Sequence, residues 1–129
     1  MNVEEFRDYC ISMHGVEEKM PWTEPRYSML ATFSLGGKWI CILDLDKKYI
    51  NVKCDPEKVQ ELQSHYDGAF PAWHMNKTHW VSIALESDVP DDTIRSLLRE
   101  AYTLIFRRLT KAVQAKILSK VNYNSSGDS

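Results

Sequence analysis

No apolar stretch in the 129 residues approaches the roughly 20 that a membrane-spanning helix needs, so the chain is not expected to cross a bilayer. The opening Met1-Asn2-Val3-Glu4-Glu5 lacks the basic and then apolar regions of a secretory leader, which makes the cytoplasm the expected compartment. Cysteine is sparse: Cys10, Cys41 and Cys54 are an odd number with no C-x-x-C spacing. That argues against a disulfide framework or a cysteine-rich zinc site and for reduced, buried thiols. Neither Gly36-Gly37 nor any other glycine pair lies in a phosphate loop, and no Gly-x-Ser-x-Gly elbow occurs. A Cys54 or Cys41 nucleophile paired with His79 is the remaining catalytic option; core thiols explain these residues better, and no enzymatic activity is expected. Repeats and low-complexity linkers are also missing. One domain over residues 1–121 is expected, followed by a small, polar, flexible tail over residues 122–129.

Excess positive charge is lacking too: the net charge is −2 and the pI about 6.1. The whole molecule is therefore no general magnet for nucleic acid. Its charge is unevenly spread, however. Between Thr93 and Lys120 stand Arg95, Arg99, Arg107, Arg108, Lys111, Lys116 and Lys120 against Glu100 alone. Such a segment can be a basic face or a solvated helix surface.

What is present concentrates in residues 71–81, Pro-Ala-Trp-His-Met-Asn-Lys-Thr-His-Trp-Val. Trp and Met call for cover, while Asn76-Lys77 is a plausible reversal with lysine at its tip. A buckled connection entering a strand near His79 is expected. Around it, Val3, Phe6, Tyr9, Cys10 and Met13 share one face of a helix that Asn2 caps and Gly15 ends. Glu4, Glu5 and Asp8 suit the start of that helix, although an iron-binding acidic ridge would use the same residues. Residues 16–26, with Pro21 and Pro25, read as a connection pinned by Trp22. Strands are expected over residues 27–33, 39–45, 49–54 and 79–85, the second of them central because it is apolar on both faces. Gly36-Gly37 and Asp46-Lys47-Lys48 make turns between them. In the third strand Ile50, Val52 and Cys54 point one way, and Tyr49, Asn51 and Lys53 the other. Asp55-Pro56 opens a middle helix with an acceptor at its cap, Val59 and Leu62 face inward, and Asp67-Gly68 stops it. Pro90-Asp91-Asp92 starts the best buried helix, through Ile94, Leu97, Leu98, Ala101, Leu104 and Ile105, with Arg95, Arg99, Tyr102 and Phe106 on its other side. Thr110 starts a shorter terminal helix that uses Val113, Ile117 and Leu118.

The run Tyr49-Ile50-Asn51-Val52-Lys53-Cys54-Asp55-Pro56-Glu57, then His74-Met75-Asn76-Lys77-Thr78-His79-Trp80 and Val89-Pro90-Asp91, resembles the MmcQ/YjbR family of small bacterial proteins. The likeness extends over nearly the whole chain. It implies an α+β fold: an antiparallel β-sheet with an N-terminal helix, a middle helix and C-terminal helices packed on it, in a layout likened to bacterial frataxin. Members have been called DNA-binding, partly because their hairpins resemble a double wing. The chain departs from the pattern at Ala72, Val81 and Ala101, and Val81 removes a polar group beside the central motif.

On this basis DNA is the expected partner of a monomeric protein. Lys38, Lys47, Lys48, Lys53 and Lys77 would contact phosphates from turns and a strand, and Arg95 and Arg99 from a basic helix. The competing explanation is that turn lysines keep strand edges soluble. A protein or small-molecule partner is the alternative, held in a groove near Trp73, His74, Asn76, His79 and Trp80. Trp22, Trp39 and Met75 could line such a pocket or lie in the core. His65, His74 and His79 form no metal-ligand spacing, and no cofactor is expected.

Overall fold

A computed structural model of the chain describes residues 1–72 and 74–127. The fold is α+β, built on a six-stranded antiparallel sheet of order β1-β2-β3-β4-β6-β5. Its strands are β1 Glu17–Lys19, β2 Leu30–Leu35, β3 Lys38–Asp44, β4 Tyr49–Lys53, β5 Ala69–Pro71 and β6 Trp80–Ala84. Helices α1 Val3–Ser12, α2 Pro56–His65, α3 Asp91–Arg108 and α4 Lys111–Gly127 complete it.

Alternation decides which side of the sheet is buried. Ala31, Phe33, Cys41, Leu43, Ile50, Val52, Val81 and Ile83 fall on one face through the register and are fully buried, together with Phe6 of α1 and Ile94, Leu98 and Ala101 of α3. Val81, where the chain departs from the pattern, is thus a core position that an apolar side chain suits. The opposite face carries Thr32, Ile42, Asn51, Ser82 and Phe70 in one cross-strand row, and Leu30, Asp44, Tyr49 and Ala84 in the next. The central position of β3 follows from residues 40–43, all buried. Gly36 and Gly37 turn its hairpin with φ of 58° and 81°, the left-handed conformation that glycine takes without a Cβ penalty.

The helix ends obey local chemistry. Asn2 accepts the Glu5 N–H at 2.8 Å and Glu5 accepts the Asn2 N–H at 3.1 Å, a reciprocal capping box. Glu5 therefore has a structural occupation. Thr110 Oγ1 accepts the Val113 N–H at 3.2 Å at the start of α4. Arg7 grips Glu18 with two bonds of 2.7 Å, tying α1 to β1 and holding the Glu18 carboxyl below its ordinary range.

Several expectations need correction. Residues 17–19 form an edge strand, β1, within the segment expected to be a connection, and β2 begins at Leu30 because residues 27–29 are occupied by turns. Three-residue strands are too short to show alternation, which also hid β5, just before the stretch expected to buckle. Asp55 makes no side-chain cap bond to α2. Leu118 is 54% exposed instead of packed, since Ile117 takes the inward position. Helix α4 continues through residues 122–127 of the expected tail, whose last two residues lie outside those described.

Candidate functional site

The helices cover only one face of the sheet, and the other is walled by two loops into a cleft of about 430 Å³. Leu30, Ile42, Asp44, Tyr49 and Asn51 of β2, β3 and β4 form its floor. One wall is the loop over residues 20–29, folded by successive turns: the Tyr27 N–H donates to Glu24 O at 2.9 Å, the Leu30 N–H to Tyr27 O at 3.1 Å, and the Ser28 hydroxyl to Pro25 O at 3.0 Å. The Leu45 N–H donates to Met29 O at 2.9 Å and anchors this loop to the end of β3. His74 and Met75 supply the facing wall.

Aromatic rings dominate the lining. Trp22 stands edge-on to Trp39, with centroids 5.8 Å apart and planes at 64°, and also leans on Tyr27 at 6.4 Å. Tyr49 packs against Phe70 at 5.7 Å, and burial, then the nearby Asp44 carboxylate, push its hydroxyl pKa up. Arg26 places Cζ 5.3 Å from the Tyr27 centroid, a cation over a ring. Asp44 Oδ1 accepts the N–H groups of Asp46 at 3.0 Å and Lys47 at 2.8 Å, which turns β3 into β4 and puts Lys47 on the rim. Lys48, next in that turn, has φ of 58°, and His74 has φ of 60°. Left-handed backbone at a residue other than glycine is uncommon, and here one instance lies in the wall of the cleft.

The residues singled out for a groove near 73–80 divide. His74 lines the cleft, and Trp73 lies outside the described residues. Asn76 instead accepts the N–H groups of Thr78 at 2.9 Å and His79 at 3.2 Å, shaping its own turn. The His79 carbonyl accepts the Cys54 N–H at 2.9 Å, and Trp80 is buried beneath Lys53, whose Nζ lies 5.4 Å from the ring centroid. Those three residues order the connection. Trp22, Trp39 and Met75 do line a pocket together. Arg26, Tyr27, Asp44, Tyr49 and Asn51 were not foreseen at the site. Alternation did place Tyr49 and Asn51 away from the core, on the face that carries the cleft.

The seven cations expected to meet phosphate are dispersed. Lys38 starts β3 and Lys47 and Lys48 follow its far end, while Lys53 ends β4 and Lys77 precedes β6. Arg95 and Arg99 ride on α3, across the sheet from the cleft: Arg95 pairs with Asp92 at 2.9 Å, and Arg99 donates to the Tyr9 hydroxyl at 2.9 Å. Burial, then Arg108, lowers the Lys53 pKa. No group of three His, Cys, Asp or Glu among the described residues is placed to hold a metal ion. His65 Nδ1 sits 3.1 Å from Glu61 O on its own helix. Burial drives the Cys54 thiol up to about 12 and the Cys10 thiol also upward, so both stay protonated and poorly nucleophilic at neutral pH.

Comparison with known proteins adds family context. The family model YjbR matches residues 11–104. The uncharacterised protein YbdF of Escherichia coli O157:H7 is 32% identical over 88 residues, covering 66% of this chain and 71% of that protein. The uncharacterised protein YyaQ of Bacillus subtilis (strain 168) is 31% identical over 104 residues, covering 70% and 86%. Among solved structures, a Deinococcus radiodurans protein superposes with a TM-score of 0.79 at 27% identity, over 90% of this chain and 87% of that one. A Pseudomonas syringae protein does so with 0.68 at 28% identity, over 81% and 98%.

Proposed function

This chain belongs to the YjbR family, and from that premise we propose that it is a non-enzymatic binding module whose site is the aromatic cleft on the helix-free face of the sheet. One observation carries this reading. Trp22, Tyr27, Trp39 and Tyr49 converge on a concavity that the fold does not fill, and Trp39 remains 39% exposed. Large rings left partly wet around a cavity are the ordinary make-up of a ligand site.

The probe for this is N-phenyl-1-naphthylamine, a neutral aromatic fluorophore. The wild-type protein should bind it saturably at one site. Trp39→Ala, at an exposed position, should weaken binding about tenfold by removing a stacking wall. Unsaturable binding, or equal affinity in the variant, would refute the cleft as the site.

A second reading is supported by a separate observation. Lys38, Lys47, Lys48 and Lys77 are exposed and form no ion pair among the described residues, as turn lysines contacting phosphate would. Under it the protein binds DNA. Lys47→Glu/Lys48→Glu should weaken duplex or single-strand binding at least tenfold at low salt and lower the salt dependence by about two counterions. Equally weak, equally salt-dependent binding by the charge-reversed protein would remove DNA from consideration.

A further inference from the structure

We infer that the cleft takes a planar nitrogen heterocycle carrying an anionic substituent, the chemistry of a purine mononucleotide; this rests on the reading of the cleft as the binding site and names its ligand class. Asn51 is the first reason. It lies in the floor, only 7% exposed, and the Ser82 hydroxyl donates to its Oδ1. Its two Nδ2–H donors then have no hydrogen-bond partner among the described residues. No buried side-chain nitrogen or oxygen among the described residues lacks a partner, so this amide nitrogen is open to the cleft, where an acceptor on an entering molecule can take the place of water. Ring nitrogens and exocyclic oxygens of a heterocycle do so while its faces lie against the rings of Trp22, Trp39 and Tyr49.

Asp44 provides the complementary function. It sits on the same face as Asn51, one cross-strand pair along the sheet, and only Oδ1 is engaged, by the two backbone N–H groups of its turn. Oδ2 is available to accept from a ring or exocyclic N–H. A donor and an acceptor side by side match the edge of a nitrogen heterocycle and not that of a hydrocarbon.

Charge sets the orientation. Arg26, from the loop over residues 20–29, and Lys47, from the turn after Asp44, both line the cleft, and the register puts Leu30 opposite Asp44. Trp39 lies toward the other end of β3. Neither Arg26 nor Lys47 forms an ion pair among the described residues. They can hold an anionic group on the rim, while the Asp44 carboxylate below repels an anion that lacks a ring to stack and hold it outward. A free phosphate therefore fits poorly, and a phosphate tethered to a heterocycle fits well.

The test is competition against N-phenyl-1-naphthylamine by AMP, GMP, guanosine, ribose 5-phosphate, inorganic phosphate and a single-stranded DNA hexamer. At least one of AMP and GMP should displace the fluorophore at a concentration tenfold or more below that of ribose 5-phosphate or inorganic phosphate. Arg26→Met, at an exposed position, should weaken the nucleotide about tenfold and leave guanosine unchanged, whereas Asn51→Leu should weaken both. Stronger displacement by the hexamer, per nucleotide, assigns the ligand to a strand, and the reverse to free nucleotide; either supports the inference. Binding of the fluorophore with Trp39→Ala sensitivity, but no displacement by either nucleotide, overturns the inference and leaves the cleft as the site. Loss of the fluorophore signal as well overturns both.

Discussion

Phe33→Ala is expected to lower the unfolding free energy by about 3–5 kcal/mol, the cost of removing a large ring from a core that cannot collapse around the space. Phe33 is wholly buried in β2 and meets Phe6 of α1 edge to face, with centroids 5.8 Å apart and planes at 86°. Its strand neighbours in the register are Glu18 of β1 and Cys41 of β3. The ring therefore holds together the edge of the sheet, its centre and the N-terminal helix. A domain of this size has roughly 5–15 kcal/mol of stability, so the variant should stand near the limit of folding. Urea unfolding would show a much lower midpoint at an unchanged slope. A loss under about 1 kcal/mol would mean that the packing between α1 and β2 does not close as described. The site is coupled to this contact, because the same strand turns Leu30 toward the floor of the cleft.

Gly68→Ala is the second large effect, expected to cost about 1–3 kcal/mol through overpacking. A Cβ at this position would lie 2.1 Å from Ser87 Oγ, 2.6 Å from Ser87 Cβ and 2.9 Å from Asp88 Oδ1. The backbone has come this close because the Asp88 carboxylate accepts the N–H groups of Asp67 at 2.8 Å and Gly68 at 2.7 Å. Those bonds hold the Asp88 carboxyl below its ordinary range. Ser87→Gly removes the two nearest atoms, so the double variant should recover part of the loss. Thermal unfolding of the two single variants and the double closes the cycle. Purely additive losses would show that contact with Ser87 is not what makes glycine necessary.

Gly68 also shows where reading the chain falls short. Beside Asp67 it looks like a helix stop, which implies a left-handed residue just past α2. In the fold it is not among the residues of positive φ, and what it supplies is room for a segment nearly 20 residues away. The same holds at the site. Alternation from Tyr49 to Lys53 put Asn51 and Tyr49 on the side away from the core, as found, but nothing local said that Trp22, Arg26 and Tyr27 fold over that side. The richest motif misled in its details: residues 73–80 looked like the groove itself. Yet Asn76 and Trp80 are spent on a turn and on packing, and His74 and Met75 reach the cleft.

The amino-acid order alone determined the α+β class, the family likeness, the long helix α3, the central place of β3 and the inward face of β4. These depend on periodicity and capping, which act over a few residues and are written in neighbouring letters. Only the tertiary structure decided that the cations scatter, that two loops wall one face of the sheet, and that the amide of Asn51 stands in the floor between them. Such features come from pairing between residues far apart in the chain, and an i-to-i+4 pattern carries no record of them.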